Sequence, residues 1–153
     1  MVNYILRVID FETTGIPTAE ISHSVCEYGY VDIIPETKNI YSEKENIVKP
    51  STPMDIEARS VHHISDELIF NNGIEWNDAY EDLTNSTIDT KYIYVAHNAD
   101  FEKKFFNPEN SIWIDTYKVA LKLYPDAPRH TNSVLKYYLE ITDKEHHHPP
   151  HRS

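Results

Sequence analysis

Two carboxylates, Asp10 and Glu12, stand two residues apart at the end of the apolar run Tyr4-Ile5-Leu6-Arg7-Val8-Ile9. A run that short and that rich in branched side chains predicts a buried strand over residues 4–11. Strand side chains alternate, so Asp10 and Glu12 share one face and Phe11 points to the other. Two like charges side by side repel each other, and a hard divalent cation between them, Mg²⁺ or Mn²⁺, removes the repulsion. Taken alone, the pair also fits a solvated strand end. A third acid, Asp100, follows the apolar run Tyr92-Ile93-Tyr94-Val95-Ala96 and falls just inside the next helix. Ligands of open α/β sheets collect at the carboxyl ends of strands. If the two strands are neighbours, three carboxylates converge on one crevice. Alone, Asp100 also suits a dipole partner at a helix amino end. The third signal is the tail Glu145-His146-His147-His148-Pro149-Pro150-His151-Arg152-Ser153. An imidazole accepts a proton near neutral pH, which suits a general base. A solvated, histidine-rich tail is the other reading.

The elements that must position these groups follow from pattern and punctuation. Strands are expected over residues 4–11, 25–34 and 39–48, and the break Pro35-Glu36-Thr37-Lys38-Asn39 between the last two suggests an antiparallel meander. Short helices are expected over residues 54–60 and from Ser65, which offers a cap. A third covers residues 75–84, with Trp76, Ala79, Tyr80 and Leu83 on one face. A strand over 92–96, a helix over 98–106, a strand over 111–114 and helices over 116–124 and 132–141 complete the chain. Asn132 or Ser133 is the expected cap of the last helix. Antiparallel strands followed by alternating strand and helix predict an α/β fold, a mixed five-stranded sheet with helices on both faces.

A chain of 153 residues suits one domain around one core. The formal net charge of −11 argues against a broad basic groove along a duplex, though not against a small metal-filled pocket that grips a chain end. The single cysteine, Cys26, excludes an internal disulfide and fits a reducing compartment. Neither a signal-peptide pattern nor a run of 18 apolar residues is present, so a cytoplasmic location without membrane contact is the expectation.

Asp10-Phe11-Glu12-Thr13-Thr14-Gly15 resembles the first motif of the DnaQ-like 3′–5′ exonucleases of the DEDDh group. Val95-Ala96-His97-Asn98-Ala99-Asp100-Phe101-Glu102 resembles the second, and His151-Arg152-Ser153 the start of the third, which runs His-x-Ala-x-x-Asp. Ala58-Arg59-Ser60-Val61-His62-His63-Ile64-Ser65 is similar to the family's stretch before its next helix. Trp113-Ile114-Asp115-Thr116 and Lys122-Leu123-Tyr124-Pro125 are spaced most like the exonuclease X branch.

The resemblance implies a ribonuclease H-like fold and a two-metal-ion hydrolase that releases nucleoside monophosphates from nucleic-acid 3′ ends. Carried over, Asp10, Glu12 and Asp100 bind Mg²⁺ or Mn²⁺, and His151 deprotonates the attacking water. Phe11, Thr13, Thr14, His62 and Asn98 contact the terminal nucleotide. For Phe11 core packing is the competing reading, for His62 a satisfied half-buried ring, and for Asn98 a helix cap. Likeness to exonuclease X favours single-stranded DNA over RNA and work in DNA repair or replication, and a homodimer is also admitted. The aspartate expected five residues after His151 lies past Ser153. Residues 1–153 are therefore expected to be one exonuclease domain, incomplete at its carboxyl end. A catalytically defective binder of nucleic-acid ends, or a remnant, is the alternative function. A ribonuclease H-like enzyme acting internally is a third reading, which the Thr13-Thr14-Gly15 run speaks against.

Overall fold

The computed structural model describes residues 2–141. Its centre is β1 (Asn3–Thr13), flanked by β2 (Val25–Ile33) and β3 (Ile40–Ile47) on one side and by β4 (Thr90–Ala96) and β5 (Ile112–Asp115) on the other. The sheet order is β3-β2-β1-β4-β5. The first three strands are antiparallel neighbours, whereas β4 runs parallel to β1 and β5 parallel to β4. The expected mixed five-stranded sheet is present. Its first and fourth strands are hydrogen-bonded neighbours, with Val8 opposite Val95. The carboxyl ends of β1 and β4 therefore lie side by side.

Alternation along β1 decides what is buried. Ile9 and Phe11 enter the core with Tyr28, Tyr30, Tyr94 and Ala96 from the neighbouring strands. The helix α3 (Trp76–Thr84) covers them with Ala79 and Leu83. Aromatic rings dominate this layer. Phe11 meets Trp76 and Phe106 edge-on at 6.3 and 6.2 Å, and Tyr94 meets Phe106 at 5.2 Å. Arg7 also points into this face. Its guanidinium binds Asp32 through two hydrogen bonds of 2.8 and 2.7 Å, donates to the carbonyls of Asp82 and Leu83, and stacks between Tyr30 and Tyr92. A buried charge is tolerated here because every face of it is engaged.

The remaining helices are α1 (Ile56–His62), α2 (Asp66–Asn72), α4 (Ala99–Glu102), α5 (Thr116–Leu123) and α6 (Asn132–Tyr138). The last two form a second, smaller cluster of Ala120, Ala127 and Leu135. Ser65 caps α2 as expected, its hydroxyl accepting from the Leu68 N–H. The cap of α6 is Thr131, one residue before the expected position. The largest difference is α4. A helix over residues 98–106 was expected, but regular structure ends at Glu102 and the chain continues in turns to the buried Phe106. Among the described residues no helix is long and apolar enough to cross a membrane.

Candidate active site

Asp10 and Glu12 project from the face of β1 opposite Ile9 and Phe11, as alternation requires. Asp10 borders a cleft of about 720 Å³ whose walls include Gly29, Glu45, His97, Thr116 and Asn132. Glu12 borders a second cleft of about 380 Å³, with Thr13, Gly15, Ile16, Val61 and Phe101. The acid pair thus stands between two concavities. Asp10 is exposed at the cleft floor, yet the surrounding protein displaces enough water to raise its carboxyl above the usual range. One bond from the Phe11 backbone works in the opposite direction.

The two acids of the second motif stand in opposite environments. Asp100 is exposed and holds Lys118 Nζ at 3.2 Å, with both side chains 64% exposed. Glu102, two residues on, is only 4% exposed. Its Oε2 is buried without a hydrogen-bond partner. Burial pushes the Glu102 carboxyl up to about 7, and the charges of Asp10 and Asp115 add to the rise. Of the two acids of the second motif, Glu102 is the buried one, and the charge of Asp10 reaches its carboxyl. Asp100, expected beside Asp10 and Glu12, has its side chain exposed and paired with Lys118. Among the described residues no three His, Cys, Asp or Glu side chains gather into a ligand set. The sequence carries only a partial signal for Glu102, because the helix ends there and Phe106 lies beyond it. Ala99, Glu102 and Phe106 are all buried and recur at i, i+3 and i+7, so one stripe faces inward and Asp100 lies off it.

The remaining candidates divide between wall and support. Phe11 is core, 4% exposed, although its edge reaches the smaller cleft. The Thr13 hydroxyl donates to the Gly15 carbonyl at 2.9 Å and closes the turn after β1. Thr14 is fully buried. Its hydroxyl meets His23 Nδ1 at 3.0 Å and Thr52 Oγ1 at 2.8 Å and accepts from the Ser24 N–H. It ties this turn to the segment entering α1, and it borders neither cleft. His62 is likewise buried. Its Nδ1 accepts from the Ile64 N–H at 3.1 Å, so Nε2 carries the proton and donates to the Thr13 carbonyl at 3.2 Å. The ring lines the smaller cleft and fixes Thr13. Asn98 adopts the left-handed conformation at φ 72° and gives α4 no side-chain cap. His151 and the start of the third motif lie outside the described residues.

Asp115 is absent from the expected set and makes four hydrogen bonds at the site's edge. Its carboxylate accepts from the N–H groups of Tyr117 and Lys118 in its own helix, and from those of Asn98 and Ala99 at the start of α4. Burial alone would raise this carboxyl, but the four N–H groups outweigh it and hold it below the usual range.

The exonuclease family model (RNase_T: Exonuclease) matches residues 8–153. This chain belongs to the DnaQ-like exonuclease family. Its relatives include exodeoxyribonuclease 10 of Escherichia coli strain K12, 28% identical over 130 residues that make up 85% of this chain and 53% of the relative. The DNA polymerase III subunit epsilon of Treponema pallidum is 27% identical over 79% of this chain and 57% of that protein. The chain spans about half the length of the curated relatives it matches. Among solved exonuclease structures, exonuclease X in complex with 5′ overhanging duplex DNA superposes with a TM-score of 0.75 at 26% identity. That match covers 94% of this chain and 80% of the other. The nuclease domain of 3′hExo bound to rAMP shares the fold, with a TM-score of 0.70 at 18% identity over 90% of this chain and 80% of that one.

Proposed function

We propose that this chain is a divalent-metal-dependent 3′–5′ exonuclease domain that releases nucleoside monophosphates from nucleic-acid ends, with single-stranded DNA as its first substrate. The observation that carries the proposal is the buried Glu102 carboxyl, with an unpartnered oxygen, in the field of Asp10 at the joined ends of β1 and β4. Once ionised, such a group is costly unless a cation accepts it. The donors are all carboxylate oxygens, which suit Mg²⁺ or Mn²⁺. Mg²⁺ needs only one or two protein carboxylates and keeps its remaining waters. Asp10 and Glu102 would hold the ion, with Glu12 beside them.

A bound divalent ion would supply charge stabilisation for the oxygens of a phosphodiester under attack. The chain's own residues do the rest. The turn Thr13-Thr14-Gly15, locked by Thr14 and His62, shapes the smaller cleft beside Glu12 for the terminal nucleotide. Ile16, Val61 and Phe101 offer that nucleotide an apolar lip, which suits stacking rather than sequence readout. His151 takes the proton of the attacking water.

The test is a 5′-labelled single-stranded oligodeoxynucleotide with Mn²⁺, run beside the matching oligoribonucleotide. The expected products are a ladder shortening from the 3′ end and free nucleoside monophosphates. Asp10→Ala and Glu102→Ala each lower the rate by about 10²-fold or more, and His151→Ala by about 10²–10⁴-fold. Asp100→Asn stays near the native rate. Immediate release of the 5′ label, or loss of activity in Asp100→Asn with retention in Glu102→Ala, overturns the assignment.

A further inference from the structure

The four-residue helix that carries Glu102 has no cap of its own. Asn98, in the capping position, is left-handed and its side chain bonds none of the helix N–H groups. The first N–H groups of a helix must nevertheless find acceptors. They find them 17 and 16 residues further along the chain. Asp115 Oδ1 accepts from Asn98 N at 3.1 Å and Oδ2 from Ala99 N at 3.1 Å. The same Oδ1 accepts from Tyr117 N at 2.9 Å and Lys118 N at 3.3 Å, the start of α5. One carboxylate at the carboxyl end of β5 thus joins the amino ends of two helices. A second tie runs alongside it, where the Thr116 hydroxyl donates to the Ala96 carbonyl at 3.3 Å and meets His97 Nδ1 at 2.9 Å. The junction between β4 and α4 is clamped to the junction between β5 and α5.

We infer that Asp115 is a positioning residue for the candidate site. By holding the amino end of α4 against the end of β5, it aims the Glu102 carboxyl toward Asp10. The inference rests on the metal-dependent reading above. Oδ1 takes three of the four N–H groups and Oδ2 takes that of Ala99; an alanine replaces neither oxygen, and an asparagine, with one acceptor, replaces only one. Groups that orient a metal ligand without touching the metal typically change affinity by about 10–100-fold when removed.

The experiment is calorimetric titration of the full chain with Mn²⁺, together with amide hydrogen exchange of residues 98–103 without metal. Asp115→Ala is expected to weaken Mn²⁺ binding about tenfold or more and to speed exchange across α4, with Asp115→Asn between it and the native protein. Exonuclease turnover falls with the metal affinity, while KM for the oligonucleotide stays near native. Ser65→Ala removes the cap of α2, no residue of which borders either cleft, and serves as the stability control. It lowers the melting temperature and leaves Mn²⁺ affinity unchanged. Faster exchange in Asp115→Ala with native Mn²⁺ affinity shows a purely structural cap and overturns the inference alone. A Ser65→Ala protein that loses Mn²⁺ affinity to the same degree does so too. A native protein that binds no Mn²⁺ overturns the metal-dependent reading and this inference with it.

Discussion

Glu102 is where pH should be felt most. Its carboxyl titrates near 4.5 in the unfolded chain and is pushed up to about 7 in the fold by burial, with Asp10 and Asp115 adding to the rise. Below pH 4.5 Glu102 is protonated in both states and costs the fold nothing. Between pH 4.5 and 7 the unfolded chain ionises first, so stability falls. Above pH 7 both are ionised and the loss levels off, at no more than about 3 kcal/mol. Glu102→Gln cannot ionise. In chelator, the melting temperature of the variant relative to the native protein is expected to rise as pH goes from 5 to 8. A difference independent of pH would refute the environment assigned to Glu102. Which acid of the second motif faces inward was legible only in part. The motif itself stood out, but a helix of four residues is too short for its periodicity to single out a face.

The turn after β1 is the element on which the smaller cleft depends. Gly15 is required there for space. A Cβ at this position would stand 2.5 Å from both Asp55 Oδ2 and His23 Cε1. His23 is packed and bonded to Thr14, so it cannot simply swing away. Gly15→Ala is therefore expected to cost about 1–3 kcal/mol in urea denaturation. It should also raise KM for the oligonucleotide, because Thr13 and Gly15 both border the cleft. A variant with native stability and native KM would show that the turn is free to adjust. The strand that ends in this turn was readable from its apolar run and its alternation. The part-buried network of Thr14, His23, Ser24 and Thr52 was not, because it joins polar residues from three separate segments that no local pattern links.

At the scale of the whole molecule, metal binding and folding are one equilibrium. An ion that binds only the folded state stabilises it by mass action, by about 2.7 kcal/mol at one hundred times its dissociation constant. For a domain of this size that corresponds to roughly 5–10 °C in melting temperature. Saturating Mn²⁺ is expected to produce such a shift in the native protein and little in Asp10→Ala/Glu102→Ala. An equal shift in the double variant would place the ion elsewhere. By themselves, the residues of this chain determined the strand that bears Asp10 and Glu12, the split between an acid face and an apolar face, the mixed sheet and the exonuclease family. Those features are written in period-two alternation and in contiguous motifs, which do not depend on distant contacts. Only the tertiary structure decided that Glu102 rather than Asp100 turns inward, that His62 lines the smaller cleft while Thr14 is buried beneath its turn, and that Asp115 caps a helix begun 16 residues earlier. Each of these is settled by which elements pack side by side. The parallel pairing of β4 with β5 brings Ala96 opposite Asp115, a contact between residues that sequence spacing alone does not join.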